Sequence, residues 1–62
     1  MSDEMREAWF EVALSALLRI HSDLYRSQND EAAVDILRAI VCTNSALEKV
    51  EENNEGHKRK AD

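Results

Sequence analysis

Residues 9–26, which read WFEVALSALLRIHSDLYR, decide the fold of this chain. Apolar side chains recur there every three or four residues, which is the spacing of one face of an α-helix. The row with heptad spacing, which we call the first seam, is Phe10, Leu14, Leu17, His21 and Leu24. Ser2 or Asp3 upstream can cap a helix, and acidic residues follow in its opening turns. We therefore predict a helix from about residue 3 to about residue 26.

The apolar face of this first helix is too wide for a single neighbour. A second row lies beside the first seam and consists of Trp9, Ala13, Ala16 and Ile20. At about 100° per residue the two rows belong to an apolar arc of roughly 200°, which one partner helix cannot cover. Two rows therefore indicate two neighbours. Trp9 and Phe10 are adjacent and point about 100° apart, so we expect one inside the fold, the other at an outer contact and the two not in the same groove.

A second helix is predicted from about Asp30 to about Glu52, after a turn over residues 27–29 built of Ser, Gln and Asn. Its seam repeats the pattern of the first and consists of Ile36, Ile40, Thr43, Leu47 and Val50. A flanking stripe of Val34, Leu37 and Val41 widens this face near the turn. Two helices of similar length with a short link predict an all-α, two-helix antiparallel hairpin. Residues 1–54 form this domain, and residues 55–62, with one glycine and no large apolar side chain, are predicted to be a disordered tail.

The chain is short for a stable monomer. It has 62 residues, a net charge of −5 and one cysteine, Cys42, so it has no intrachain disulfide. A domain of this size buries about 60% of the surface that its unfolded chain exposes and is marginal alone. A homodimer in which two hairpins form a four-helix bundle covers both apolar arcs, with the second contact expected near the turn end of helix two and the middle of helix one. A two-helix monomer and a complex with a different protein are the alternatives.

The predicted contact residues fall into two sets. The dimer or partner interface comprises Trp9, Phe10, Ala13, Ala16, Leu17, Ile20, Leu24, Val34, Leu37 and Val41. A row of carboxylates, Glu4, Glu7 and Glu11, follows one side of the first helix at intervals of three and four residues. Such a row suits a basic partner, and dipole complementarity and solubility account for the same residues.

Nothing in the sequence indicates a reaction. It contains no Glu-x-x-His pair, no nucleophile and base at catalytic spacing, no glycine-rich loop and no metal-ligand cluster, so we predict no enzyme, no cofactor and no metal. Residues 1–54 carry 5 basic and 11 acidic side chains, which disfavours nucleic-acid binding, and the one basic run is residues 58–60 in the tail. No apolar run has the length of a membrane span, and the lone cysteine is typical of the cytoplasm.

Residues 21–27, HSDLYRS, together with the length and two-helix outline, resemble the plasmid repressor-of-primer family. That family consists of dimeric four-helix bundles that bind paired RNA loops, so the resemblance implies the dimeric architecture. Here the string ends the first helix, whereas in the family it lies in the second, and Glu4, Glu7 and Glu11 replace a basic RNA-binding face. Small acidic helical accessory proteins of temperate phages are similar in general character.

These observations predict a small regulator without catalytic activity, which acts as a homodimer and binds an unidentified protein. An RNA-binding accessory protein of the repressor-of-primer type, which would use Arg6, Arg19, Arg26 or the basic tail, is one alternative. A structural subunit of a larger assembly is the other.

Overall fold

Two helices account for the described chain. The structure, a computed structural model, describes the backbone of residues 1–61 and the side chains of residues 1–54. Helix α1 comprises Asp3–Arg26 and helix α2 comprises Asp30–Ala61, and they pack against each other. No strand occurs in residues 1–61. The predicted all-α hairpin, the bounds of α1 and the start of α2 are confirmed.

The start of α1 shows why the helix begins at Asp3. The Met5 backbone N–H donates to the Ser2 side-chain hydroxyl at 3.1 Å, which satisfies one of the amide groups that a helix N-terminus leaves free. Asp3 and Glu4 place negative charge in the first turn, where the helix dipole favours it. Of the two predicted caps, Ser2 is the one used.

The turn between the helices ends α1 with a left-handed residue. Gln28 has a φ of 61°, and the Asn29 and Gln28 N–H groups donate to the carbonyls of Leu24 and Tyr25 at 2.9 and 3.1 Å. These two bonds define a Schellman motif, in which glycine is the usual residue at the left-handed position. The Ala33 N–H then donates to the Asn29 carbonyl at 3.0 Å and opens α2. The chain therefore reverses over three residues, as the sequence predicts.

Helix α2 continues to Ala61 instead of ending near Glu52. Residues 53–61 contain no proline, and although Asn53, Asn54 and Gly56 are weak helix formers, none of them prevents a helix from continuing. The helical backbone over 55–61 differs from the predicted disordered tail. The side chains of that segment, including the basic run 58–60, lie outside the described residues.

The two helices pack through the two predicted seams. Phe10, Leu14, Leu17, His21 and Leu24 of α1 are half-buried, as are Ile36, Ile40, Thr43, Leu47 and Val50 of α2. Among residues 1–54 only Ala33, 4% exposed, and Asn54, 8% exposed, are buried. The hairpin measures 52 × 16 × 13 Å and has a radius of gyration of 14.9 Å. A compact chain of this length has a radius of about 10.6 Å, so the hairpin is a single elongated layer.

Within the described residues, neither helix has a stretch both long and apolar enough to cross a bilayer.

Candidate functional site

Large apolar side chains cover much of the hairpin's outer surface. Those exposed in the described part of the chain are Met1, Met5, Trp9, Val12, Leu18, Ile20, Tyr25, Val34, Leu37 and Val41. Single exposed apolar residues are ordinary on a protein surface, whereas contiguous rows of them mark contact sites. The surfaces formed by these rows are therefore the candidate functional sites.

The first surface, which we call the Trp9 face, consists of the exposed Met5, Trp9, Ala13, Ala16 and Ile20 along α1. A groove on this face is lined by Trp9, Phe10 and Ala13 from α1, with Thr43 from α2 across it. Phe10 is half-buried and Trp9 is 59% exposed, so one aromatic packs into the hairpin and the other stays outside. Both nevertheless line the same groove, because it spans the angle between them, and the expectation of separate grooves is wrong.

The Trp9 face has little charge near its middle. Arg6 lines its groove, and the Arg6 guanidinium pairs with the Asp3 carboxylate at 3.2 Å. On α2, Ala39 and Ala46 lie on the same side as Thr43, about 60–80° from the seam. The face therefore combines three large apolar side chains, Met5, Trp9 and Ile20, with small ones that let another backbone approach closely.

The second surface, which we call the Leu37 face, lies beside the turn. A groove there is lined by His21 and Tyr25 from α1 and by Ala33, Val34 and Leu37 from α2. The His21 and Tyr25 rings stack with their centroids 6.4 Å apart, and they form one wall of the groove. Val34 and Leu37 are each about half-exposed, so the groove offers apolar surface that the hairpin leaves uncovered.

The two faces lie on opposite sides of the hairpin. Around α1, Trp9 lies about 100° to one side of the centre of the first seam, and Tyr25 lies about 60° to the other side. The two grooves also differ in their position along the hairpin, one near the turn and one toward the open end, and no residue lines both of them. We predicted one contact made by the second row of α1 together with the α2 stripe Val34, Leu37 and Val41. The structure separates these rows, because they lie at offsets of opposite sign from their seams, and antiparallel helices turn offsets of the same sign to the same face.

The acidic row continues the Leu37 face toward the open end of the hairpin. Glu4, Glu7 and Glu11 lie between about 60° and 120° from the first seam, on the Tyr25 side. The Asn54 side-chain amide donates to Glu7 Oε1 at 2.7 Å, which ties α2 to this end of α1. Glu4 and Glu11 are exposed and make no hydrogen bond in the described part of the chain.

The predicted interface residues divide between the inside and the outside of the hairpin. Phe10, Leu17 and Leu24 are half-buried in the seam, whereas the other seven predicted residues, Trp9, Ala13, Ala16, Ile20, Val34, Leu37 and Val41, are exposed. The predicted interface omits Tyr25 and Leu18, which are exposed in the structure. Their positions at the edge of the apolar arc of α1 are the signal in the sequence that could have included them. The sequence contains no signal that Asn54 is a contact residue, because its hydrogen bond to Glu7 forms only when the two helices pack.

The described residues offer no group of three His, Cys, Asp or Glu side chains that could hold a metal ion. Cys42 is an exposed free cysteine. The surface has two apolar faces, and one of them, the Leu37 face, is continued by a row of carboxylates. Surfaces of this kind are suited to contacts with other chains. Comparison with protein-family models, with curated proteins and with solved structures finds no match to this chain.

Proposed function

We propose that this protein is a small non-catalytic interaction module that acts as a homodimer, with two hairpins joined into a four-helix bundle. The observation that carries the proposal is the near absence of a buried core: Ala33 and Asn54 alone are buried among residues 1–54. A single hairpin with so little burial is marginal, and a second copy is the simplest supply of the missing contacts.

The surface area of the chain supports this proposal. A compact protein of 7.1 kDa exposes about 4,100 Å² by the usual relation between surface and mass. This chain exposes 5174 Å². The excess, roughly 1,000 Å², is of the size that each partner buries in a stable interface, about 800 Å². The whole chain, residues 55–62 included, therefore has as much surplus surface as one interface removes from water.

The Trp9 face suits contact with a second copy. A two-fold interface places the same patch of both subunits together, so the patch must be compatible with itself. The row Trp9, Ala13, Ala16 and Ile20 contains no charged side chain, so its members set no like charges against each other across such an axis. Trp9 supplies a large apolar side chain, while Ala13 and Ala16 allow the helices to approach. We therefore assign self-association to the Trp9 face.

Replacement of Ile20 with aspartate tests this assignment. Ile20 is 45% exposed in the hairpin, so the new carboxylate would stay in contact with water in a separate chain but would be buried in the dimer. Burying an unpaired charge is costly, so we expect Ile20→Asp to dissociate the dimer. Because the separate hairpin is marginal alone, helical circular dichroism should be lost at the same time. Ser15→Asp, a matched change on the polar side of α1, should remain dimeric and helical.

Sedimentation equilibrium and circular dichroism on the same samples separate the outcomes. A wild-type chain that sediments at 7.1 kDa at micromolar concentration contradicts the homodimer. An Ile20→Asp variant that stays dimeric and helical contradicts the Trp9 face as the interface. A variant that stays helical as a monomer and has lost a partner would assign this face to a foreign chain instead.

A further inference from the structure

We propose that the Leu37 face binds one amphipathic helix of a partner protein, with apolar side chains in one half and lysine or arginine in the other. The apolar half covers the groove near the turn, and the basic half faces Glu4, Glu7 and Glu11 at the open end. This inference rests on the proposed function, because it requires the Trp9 face to be occupied by the second copy.

The shape of the Leu37 face fits a helix. The groove runs between two antiparallel helices, with Tyr25 and His21 on one wall and Val34 and Leu37 on the other. A third helix laid in such a groove inserts side chains at intervals of three and four residues. From the turn to the acidic row the face follows most of α1, which at 24 residues is about 36 Å long.

The charge of the same face selects a basic occupant. Glu4 and Glu11 are exposed, and Glu48 of α2 lies on this side of the hairpin as well, accepting at 3.4 Å from the Asn44 amide. The whole chain carries a net charge of −5, which attracts a cationic segment from a distance. Carboxylates in a row along a groove favour a helix with Lys or Arg at the facing positions.

A second copy of this chain is a poor occupant of the Leu37 face. With parallel axes, two-fold pairing brings the acidic open ends of both copies together, including Glu48 of α2, and like charges across an interface are costly. With antiparallel axes, it sets these carboxylates against the apolar groove near the turn of the other copy, where they lose water and gain no partner. The row Trp9, Ala13, Ala16 and Ile20 has no carboxylates of its own to set against a second copy, so we give the two faces different occupants.

A designed peptide provides the probe. We would use a fluorescein-labelled peptide of 18 residues, about 27 Å as a helix, with a leucine row in one half and lysines in the other. Fluorescence anisotropy at physiological ionic strength measures its binding to the full chain. The control peptide replaces every lysine with glutamate. We expect saturable binding of the basic peptide and none of the acidic one.

Two sets of variants locate the site. Leu37→Ser should weaken binding of the basic peptide about tenfold or more. Val34→Ser should have a similar effect and takes its place as the test if Leu37→Ser fails to fold. The double variant Glu4→Gln with Glu11→Gln should weaken it about three- to tenfold. Its matched control, Glu31→Gln with Asp35→Asn, removes the same charge from the other side of α2 and should bind as wild type does.

Sedimentation of every variant distinguishes the two proposals. A variant of Leu37 or Val34 that loses peptide binding but remains dimeric supports the Leu37 face as the binding site. A wild-type chain that is monomeric contradicts the proposed function instead. Absence of saturable binding to a dimeric wild-type protein overturns the inference, as does equal binding by Leu37→Ser and Val34→Ser. A labelled RNA stem-loop that binds instead, and is released by the Leu37→Ser change, overturns it in favour of nucleic acid.

Discussion

Replacing Trp9 with alanine tests how much of the dimer depends on one side chain. Trp9 is 59% exposed in the hairpin, against 53% for Met5 and 45% for Ile20 on the same face. In a homodimer built on the Trp9 face, this exposed part is what the second copy covers. The Trp9→Ala change should therefore weaken self-association strongly.

The exposed area sets the size of the effect. A tryptophan offers about 250 Å² for burial, so the exposed part of Trp9 amounts to about 150 Å². At about 25 cal/mol per Å² its burial contributes about 3.7 kcal/mol, of which alanine keeps a small part, leaving a loss of about 3 kcal/mol per subunit. The dimer contains this residue twice. A loss of about 6 kcal/mol weakens the dimer Kd by about four orders of magnitude, as an upper value.

Analytical ultracentrifugation over a wide range of concentration measures this change, with Leu18→Ala as the control. Leu18 is 55% exposed, close to the value for Trp9, but it lies on the opposite side of α1. It therefore reports what loss of an equally exposed apolar side chain does to the hairpin alone. The melting temperature should depend on concentration in the wild type and in Leu18→Ala, because folding and association are linked.

Equal dimer Kd values for Trp9→Ala and Leu18→Ala would refute the reasoning. Such a result means that the second copy does not cover the Trp9 face, whatever the total stability of the variants. A stronger effect of Leu18→Ala than of Trp9→Ala would assign self-association to the Leu37 face, and the charge argument against that face would then be wrong.

Three further changes test the hairpin itself. Gln28→Gly should raise the free energy of unfolding by about 0.5–1 kcal/mol in urea titration, because glycine adopts the left-handed turn without strain, and an unchanged or lower value contradicts the turn geometry. A double-mutant cycle with Glu7→Ala and Asn54→Ala should give a coupling of about 1–2 kcal/mol, and additive losses would mean that the 2.7 Å hydrogen bond contributes nothing. Deleting residues 55–62 should leave the fold of residues 1–54 and the oligomeric state unchanged, since every contact named above precedes them, and a clear fall in melting temperature would show that the segment supports the fold.

The hairpin could be predicted from the sequence because its signals are local. Apolar spacing fixes the seams of both helices, and Ser2 and the polar residues 27–29 mark where α1 begins and ends. The end of α2 was not predictable in the same way. Asn53 and Asn54 are weak helix formers that resemble a stop, yet the first continues the helix and the second packs against Glu7. Cross-helix contacts of this kind have no local signal.

The candidate surfaces were predictable as residues but not as an arrangement. The widths of the apolar arcs single out Trp9, Ile20 and Leu37 as surplus apolar positions, and all three are exposed. Whether two rows share a face depends on which sides of the two antiparallel helices pack against each other. In the folded hairpin this packing places Leu37 beside Tyr25 and on the side of the carboxylates, and it places Trp9 on the opposite side.

Opposed faces on one hairpin determine the valency of its dimer. If two hairpins meet through the Trp9 face, their Leu37 faces point away from each other on the two outer sides of the bundle. The assembly then has two equivalent and well-separated docking sites, so it binds partners with a stoichiometry of two to two. Such a module can bring two partner molecules together, and a partner that is itself dimeric would be held with an avidity that neither site provides alone.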